Sequence, residues 1–265
     1  MFAPAVNLLA RVRRRWRLFR LRGDAVECPC CGGSFREFMP GRDPNNPICP
    51  RCGAQARHRA LWLYLHERTD LFSGKGLRVL HFAPERALGR ALASASGIDY
   101  VSADLHDPAA MEHFDITDIP HHDASFDAIL CIHVLEHVED DRAAMRELRR
   151  ILKADGWTIV LVPLDLDRAQ TYEDPEITDP AERERAFWQS DHLRLYGRDF
   201  PERLREAGFD VTVDQWVRGL RADTIQRHGL FPLEDMYVCR KETENQELRT
   251  SPRTRARHPD PPPPP

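Results

Sequence analysis

The stretch SFDAILCIHVLEHVEDDRAAMRELRRILKADGWTIVLVP (residues 125–163) decides the fold of this chain. It contains two apolar runs, FDAILCI (126–132) and WTIVLVP (157–163), whose length and composition are typical of buried strands. Residues 140–156 between them place apolar side chains at helical spacing and end at Gly156, which predicts an amphipathic helix. The side chains expected on its buried face are Ala144, Leu148, Ile151 and Leu152.

The same alternation of strand and helix continues outward from this stretch. Further strands are predicted at 77–83, 99–105, 113–117, 209–214 and 236–241, and a helix at 56–72. Strands separated by helical segments predict a parallel sheet that is covered on both faces.

Charge is distributed unevenly along the 265 residues, whose net charge is −4. Residues 1–23 hold seven arginines and no acid, whereas the rest holds 31 basic and 42 acidic residues. The excess of acidic residues after residue 23 argues against a broad nucleic-acid-binding surface. The basic segment is expected to be a frayed helix; peripheral membrane or partner contact by residues 7–22 is the weaker alternative. From these features we expect neither a transmembrane segment nor a secretory signal peptide.

Four of the seven cysteines form two C-x-x-C pairs, each followed by a glycine. Two such turns aim four thiolates at one ion, which predicts a structural zinc ribbon with no open coordination position. The expected ligands are Cys28, Cys31, Cys49 and Cys52, with Cys30 as a competing thiol and His58 as a weaker alternate ligand. This cysteine usage fits a reducing compartment, so we expect a cytoplasmic protein.

Composition divides the chain into five parts. We expect a basic N-terminal segment (1–23), a zinc ribbon (24–56), a connecting helix (57–76), an α/β domain (77–242) and a disordered proline-rich tail (243–265).

The stretch at 125–163 closely resembles class I methyltransferases that use S-adenosylmethionine, through VLEHV (134–138), LKADG (152–156) and the strands on either side. The resemblance covers about residues 77–241. Within class I, the sequence is similar to the methyltransferase type 11 group. The cysteine module joined to RHRALWLYL (57–65) also resembles a bacterial subgroup that carries an N-terminal zinc ribbon. The resemblance implies a Rossmann-like sheet of seven strands, the last of them antiparallel.

Cofactor contacts follow from this resemblance, position by position. In that family, an acidic residue after the second strand accepts hydrogen bonds from the ribose hydroxyls. A further acidic residue and its neighbours contact the adenine. The residues after the fourth strand line the methionine side. The implied contacts are His81, Ala83, Glu85, Asp104, Leu105, Asp115, Ile116, Thr117, His133 and Val134.

The turn RVLHFAPERA (78–87) departs from the glycine-rich pattern of dinucleotide folds. Pro84 removes an N–H donor and Glu85 repels a phosphate, so the turn argues against NAD(P). S-adenosylmethionine has no phosphate and carries positive charge. Our hypothesis is that Glu85 binds its ammonium group in place of the acid usual at the first strand, where this chain has His81.

Methyl transfer requires alignment, and it requires a base only when the acceptor is protonated. The candidate catalytic residues are Glu136, His137 and His192, for which packing or turn roles are strong alternatives. The charged, proline-interrupted segment 165–189 is expected to border the substrate, through Tyr172, Phe187 or Trp188.

Three functions remain open. The favoured one is a methyltransferase for a small-molecule or sugar-type acceptor. The second is a ribosomal or transfer RNA methyltransferase whose zinc ribbon recognises RNA. The third, suggested by the missing glycines, is an inactive methyltransferase fold that serves as an interaction protein.

Overall fold

A computed structural model describes residues 3–241 of the chain, with side chains from residue 12 onward. The predicted proline-rich tail, 243–265, lies outside the described residues. The helices are α1 (Ala3–Arg20), α2 (Ala56–Arg68), α3 (Arg86–Ala93), α4 (Asp141–Ile151), α5 (Pro180–Phe187), α6 (Phe200–Glu206) and α7 (Ala222–His228). The strands are β1 (Val26–Cys28), β2 (Gly33–Phe35), β3 (Leu77–Phe82), β4 (Ile98–Ala103), β5 (Phe126–Ile132), β6 (Leu152–Leu161), β7 (Tyr172–Glu173), β8 (Arg194–Leu195), β9 (Phe209–Asp214) and β10 (Met236–Lys241).

A six-stranded mixed sheet in the order β4-β3-β5-β6-β10-β9 forms the centre of the fold. Strands β3 to β6 are parallel to one another, and β10 is antiparallel to both β6 and β9. One apolar core joins the sheet to side chains of α2, α3, α4 and α6. The predicted α/β fold and the antiparallel last strand are confirmed.

The prediction of a seventh strand at 113–117 was wrong for the described chain. The Asp115 carboxylate accepts 2.8 Å hydrogen bonds from the backbone N–H and the hydroxyl of Thr117, which closes a local turn. Such a turn directs the backbone groups inward and away from a strand ladder. Only Glu112, just before it, forms an isolated parallel bridge, with Ala103.

The predicted end of the helix at Gly156 was also wrong. Helix α4 ends at Ile151, and β6 begins at the next residue because Leu152 pairs with Phe126. The strand is irregular there, and a Cβ at position 156 would lie 2.8 Å from the carbonyl oxygen of Asp127. Gly156 therefore permits close approach of two strands and does not stop a helix.

The cysteine module packs on the α/β domain through Arg59 of α2, which is completely buried. Its guanidinium donates to the carbonyls of Pro47 and Ala54 in the module and of His228 and Gly229 at the end of α7, at 2.6–3.0 Å. The guanidinium carbon also lies 3.9 Å from the ring centre of Phe38. The Arg59 side chain thus fixes the cysteine module against α7.

Helix α1 carries the basic segment. Trp16 and Phe19 are exposed, and Arg14 donates a 2.9 Å hydrogen bond to the carbonyl of Arg51 in the cysteine module. Within residues 3–241, each helix is too short or too polar to cross a bilayer. Contact of residues 7–22 with a membrane or partner stays a prediction.

Candidate active site

A cavity of about 660 Å³ opens where the parallel strands end. Ala83 and Glu85 reach it from the turn after β3, His133 from the turn after β5, and residues 161–164 from the end of β6. The carboxyl ends of parallel strands are where open α/β sheets bind ligands. The cavity therefore lies where the fold predicts a binding site.

The opposite wall comes from the cysteine module and the start of α2. It consists of Arg42, Asp43, Asn46, Gln55 and Arg57. Trp188 and Gln189, from the segment expected to border the substrate, and residues 233–235 also line the cavity. Of the other two side chains proposed in that segment, Phe187 is completely buried and Tyr172 lies in the short strand β7.

Glu85 is held between two histidines. Its carboxylate oxygens lie 3.2 Å from Nε2 of His58 and 3.2 Å from Nε2 of His81. Burial raises the pKa of Glu85, but the contacts with His58 and His81 outweigh this effect and the pKa falls well below its usual range. Burial lowers the pKa of His58. The cavity therefore contains an ionised carboxylate at neutral pH.

His81 lies behind Glu85 and does not line the cavity. It is completely buried, and its Nδ1 lies 3.1 Å from the hydroxyl of Tyr100. With both ring nitrogens engaged, His81 orients Glu85. Its predicted contact with a cofactor stays a prediction.

Arg57 and Glu234 add opposite charges to the cavity. The buried Nε of Arg57 has no hydrogen-bond partner among the described residues, and burial lowers the pKa of this guanidinium, opposed by Glu85. Burial raises the pKa of Glu234. Sequence reasoning missed both residues, because an arginine in a helix and a glutamate after a proline are most often solvated.

The turn after β3 uses an alanine where glycine would be favoured. Ala83 has φ of 44° and His133, after β5, has φ of 54°, both in the left-handed region. Such residues carry strain that concentrates at functional sites. The missing glycine therefore changes the energy of this turn but not its conformation.

We expect Ala83→Gly to change the free energy of unfolding by between zero and about 1 kcal/mol in the stabilising direction. Relief of the strained φ outweighs or balances the greater entropy of glycine in the unfolded chain. Ala91→Gly in α3 is the matched control and should destabilise by about 0.5–1 kcal/mol. Urea unfolding of both variants measures the difference. An equal loss of unfolding free energy in the two variants would show that Ala83 is not strained.

The residues expected to hold the adenosine lie at the same sheet edge but outside the cavity lining. Asp104 Oδ1 accepts 2.7 Å hydrogen bonds from the N–H groups of His106 and Asp107, and Asp115 is engaged with Thr117. Leu105 is exposed and Ile116 is buried. The N–H of Ala83 donates to the carbonyl of Ala103, which places the β3 turn beside this group. Their cofactor contacts stay predictions, as does that of Val134, which packs against the core.

The three candidate catalytic residues lie together at one end of the cavity. One carboxylate oxygen of Glu136 and one ring nitrogen each of His137 and His192 are within 4.8 Å of one another. Glu136 and His192 are buried, and burial lowers the pKa of His192. These residues were proposed separately from the sequence, and the fold brings them together.

Arg194, which sequence reasoning missed, holds the turn that carries Glu136 and His137. Its guanidinium donates to the carbonyls of Leu135 and Glu139 and to the Glu173 carboxylate at 2.8–3.0 Å, and also contacts the carbonyl of Val138. Since the acceptors are mostly main-chain carbonyls, no side-chain pattern marks this role.

The four predicted zinc ligands form a cluster. The sulfur of Cys28 lies 3.6 Å from that of Cys52, and the sulfur of Cys31 lies 3.8 Å from that of Cys49. Four thiolates placed tetrahedrally around zinc at 2.3 Å stand about 3.8 Å apart, so these residues fit structural zinc. Cys30 instead contacts the carbonyl of His58, and His58 itself faces Glu85.

The family described as Methyltransferase domain matches residues 73–160, which contain strands β3 to β6. This segment is therefore similar to a methyltransferase domain, and the sheet around it has the α/β arrangement expected from the resemblance to class I methyltransferases.

Among known proteins, ajmaline N-methyltransferase of Rauvolfia serpentina is 30% identical over 132 residues. The match covers 48% of this chain but only 40% of the length of that protein. Among solved structures, an S-adenosylmethionine-dependent methyltransferase from Mesorhizobium loti has a TM-score of 0.46 at 16% identity, covering 69% of this chain and 98% of its own. The YcgJ protein from Bacillus subtilis has a TM-score of 0.42 at 16% identity, covering 63% and 93%.

Proposed function

We propose that this protein transfers a methyl group from S-adenosylmethionine to a small-molecule or sugar-type acceptor bound in the cavity. The ionised Glu85 at the turn after β3 carries the proposal. A carboxylate at that place attracts a cosubstrate with a sulfonium and an ammonium group and repels one with a pyrophosphate.

The cavity supports a small acceptor. Its volume of about 660 Å³ lies within the range of ligand pockets, about 300–1,000 Å³. The lining combines apolar side chains at the end of β6 with seven acidic and arginine side chains, and the cysteine module closes one side. The name of the relative from Rauvolfia serpentina, ajmaline N-methyltransferase, is consistent with a small acceptor.

In this proposal Glu85 binds the ammonium of the cosubstrate, and Arg57 faces its carboxylate or an anionic group of the acceptor. Asp104 receives the ribose hydroxyls through Oδ2, since the hydrogen bonds from His106 and Asp107 occupy Oδ1. The cosubstrate supplies the electrophilic methyl group. The protein contributes alignment, which supplies roughly 7–11 kcal/mol when the geometry is ideal.

We expect Glu85→Gln to weaken binding of S-adenosylmethionine and of S-adenosylhomocysteine by about 10- to 100-fold each, since a charge-assisted hydrogen bond contributes about 1.5–3 kcal/mol. The affinity for both ligands is expected to fall equally, because both carry the ammonium group. Calorimetric titration measures the two affinities, with Glu67→Gln on the exposed face of α2 as the matched control. Unchanged affinity in Glu85→Gln would remove Glu85 from the site.

The same titration addresses the two alternatives. An inactive methyltransferase fold is expected to bind neither ligand, so absence of binding to the full chain would overturn the proposal. An RNA methyltransferase is expected to bind RNA with an affinity that falls steeply with salt. The acidic groups around the cavity, Asp43, Glu85, Glu136, Glu234 and Asp235, argue against a polyanionic acceptor.

A further inference from the structure

The carboxylate of Glu136 is buried without a hydrogen bond from the described part of the chain. Its side chain is 1% exposed, and neither oxygen has a hydrogen-bond partner among the described residues. His133 Nδ1 approaches one oxygen to 3.2 Å but forms no directed hydrogen bond with it. A buried carboxylate without hydrogen bonds is costly unless it is neutralised or a cation compensates its charge.

The two neighbouring histidines are both oriented through Nδ1. His192 Nδ1 lies 2.8 Å from the carbonyl oxygen of Phe187, and His137 Nδ1 lies 3.3 Å from the carbonyl oxygen of Asp191 and 3.5 Å from its carboxylate. Because these partners are acceptors, Nδ1 carries a proton in each ring, and in the neutral ring Nε2 keeps its lone pair. Metal-binding histidines are usually fixed in this way by an outer carbonyl or carboxylate.

We propose that Glu136, His137 and His192 bind one divalent transition-metal ion at the acceptor end of the cavity, and that this ion binds a hydroxyl oxygen of the acceptor. Two imidazoles and one carboxylate are the donor set of metal sites that keep open positions for a substrate. Neighbouring ligand atoms of such an ion stand about 3.0–3.4 Å apart, so the three side chains, within 4.8 Å of one another, would have to approach one another by up to about 1.8 Å to close on it.

The inference rests on the proposed function and narrows its acceptor to a hydroxyl compound. Metal binding lowers the pKa of the hydroxyl, whose proton passes to water. The oxygen then forms a bond to the methyl carbon while the carbon–sulfur bond breaks and its electron pair stays on sulfur. The products are a methyl ether, S-adenosylhomocysteine and a proton.

The test uses the full chain with its cysteine site loaded with zinc and Mn²⁺ as the probe, because Mn²⁺ prefers oxygen and imidazole ligands to thiolates. Titration followed by electron paramagnetic resonance is expected to show one bound Mn²⁺ per chain. Glu136→Gln and His192→Ala should each weaken Mn²⁺ binding by at least about tenfold. Glu139→Gln and His113→Ala, which change exposed residues, should leave binding unchanged.

S-adenosylhomocysteine binding to the same samples separates the two proposals. Wild-type protein that binds S-adenosylhomocysteine but no Mn²⁺ would overturn the metal site and leave the proposed function intact. Protein that binds Mn²⁺ in a Glu136-dependent way but neither cosubstrate nor product would overturn the proposed function instead. Mn²⁺ binding that persists in both Glu136→Gln and His192→Ala would place the ion elsewhere and refute the site. Retained zinc in the variants shows that they are folded.

Discussion

Cys49→Ser is expected to abolish tight zinc binding and to lower the midpoint of thermal unfolding by more than about 10 °C. Structural zinc contributes about 10–16 kcal/mol in small zinc domains, and each kcal/mol corresponds to about 2–4 °C in a chain of this size. The loss extends beyond the cysteines, because Pro47 and Ala54 in the same module supply carbonyls to Arg59.

Cys30→Ser is the matched control for this prediction. Its thiol belongs to the same module but contacts the carbonyl of His58 and lies outside the four-sulfur cluster. Zinc remaining after dialysis and thermal unfolding followed by circular dichroism provide the two measurements. Equal behaviour of the two variants would contradict the assignment of ligands.

Arg59→Met is expected to reduce the free energy of unfolding by about 3–5 kcal/mol, because each buried carbonyl that loses its donor costs about 1–3 kcal/mol and the apolar methionine offsets part of the sum. Methionine fills much of the space but leaves the carbonyls of Pro47, Ala54, His228 and Gly229 without their donor. Unpaired buried carbonyls each cost free energy that the hydrophobic gain does not fully offset.

Arg68→Met on the same helix is the control for Arg59. The Arg68 side chain is 52% exposed, and its nearest acid, Asp214, lies 3.5 Å away. An exposed pair of this kind contributes about 0–1 kcal/mol. Urea unfolding of both variants should therefore separate them by several kcal/mol, and a loss below about 1 kcal/mol in Arg59→Met would show that the module does not depend on this residue.

The parts of the fold that the sequence predicted well are those where side-chain pattern and tertiary structure agree. The runs at 126–132, 209–214 and 236–241 have the bounds of β5, β9 and β10. Each is an apolar or alternating run whose ends are marked by residues unsuited to a strand interior. The cysteine spacing was equally informative, since a metal site constrains both residue type and distance.

The errors arise where local hydrogen bonds or main-chain contacts decide the structure. HFDIT (113–117) has the composition of a strand, but Asp115 closes a turn within it. Gly156 follows a helical pattern, but its neighbours pair with β5. Arg59 and Arg194 bind carbonyls supplied by distant segments, and no periodicity in the sequence reveals a main-chain acceptor.

The sequence predicted which residues belong to the candidate site better than it predicted how they are arranged. The residues after β3 and β5 were found because parallel strands end at one edge. The wall formed by Asn46, Gln55 and Arg57 was not predicted, because these residues precede the segment that matches the methyltransferase family. Only the packing of α2 against the sheet brings them to the cavity.

That wall has a consequence for how proteins of this architecture diverge. Insertions or substitutions in the loop at 42–47 would reshape the acceptor side while leaving the sheet and its strand ends untouched. Conversely, an excised domain that begins near residue 73 would keep the sheet edge yet lose one side of its binding chamber. The cysteine module and the sheet edge therefore form one binding chamber, and exchanging the module between related chains is expected to alter which ligand the cavity accepts.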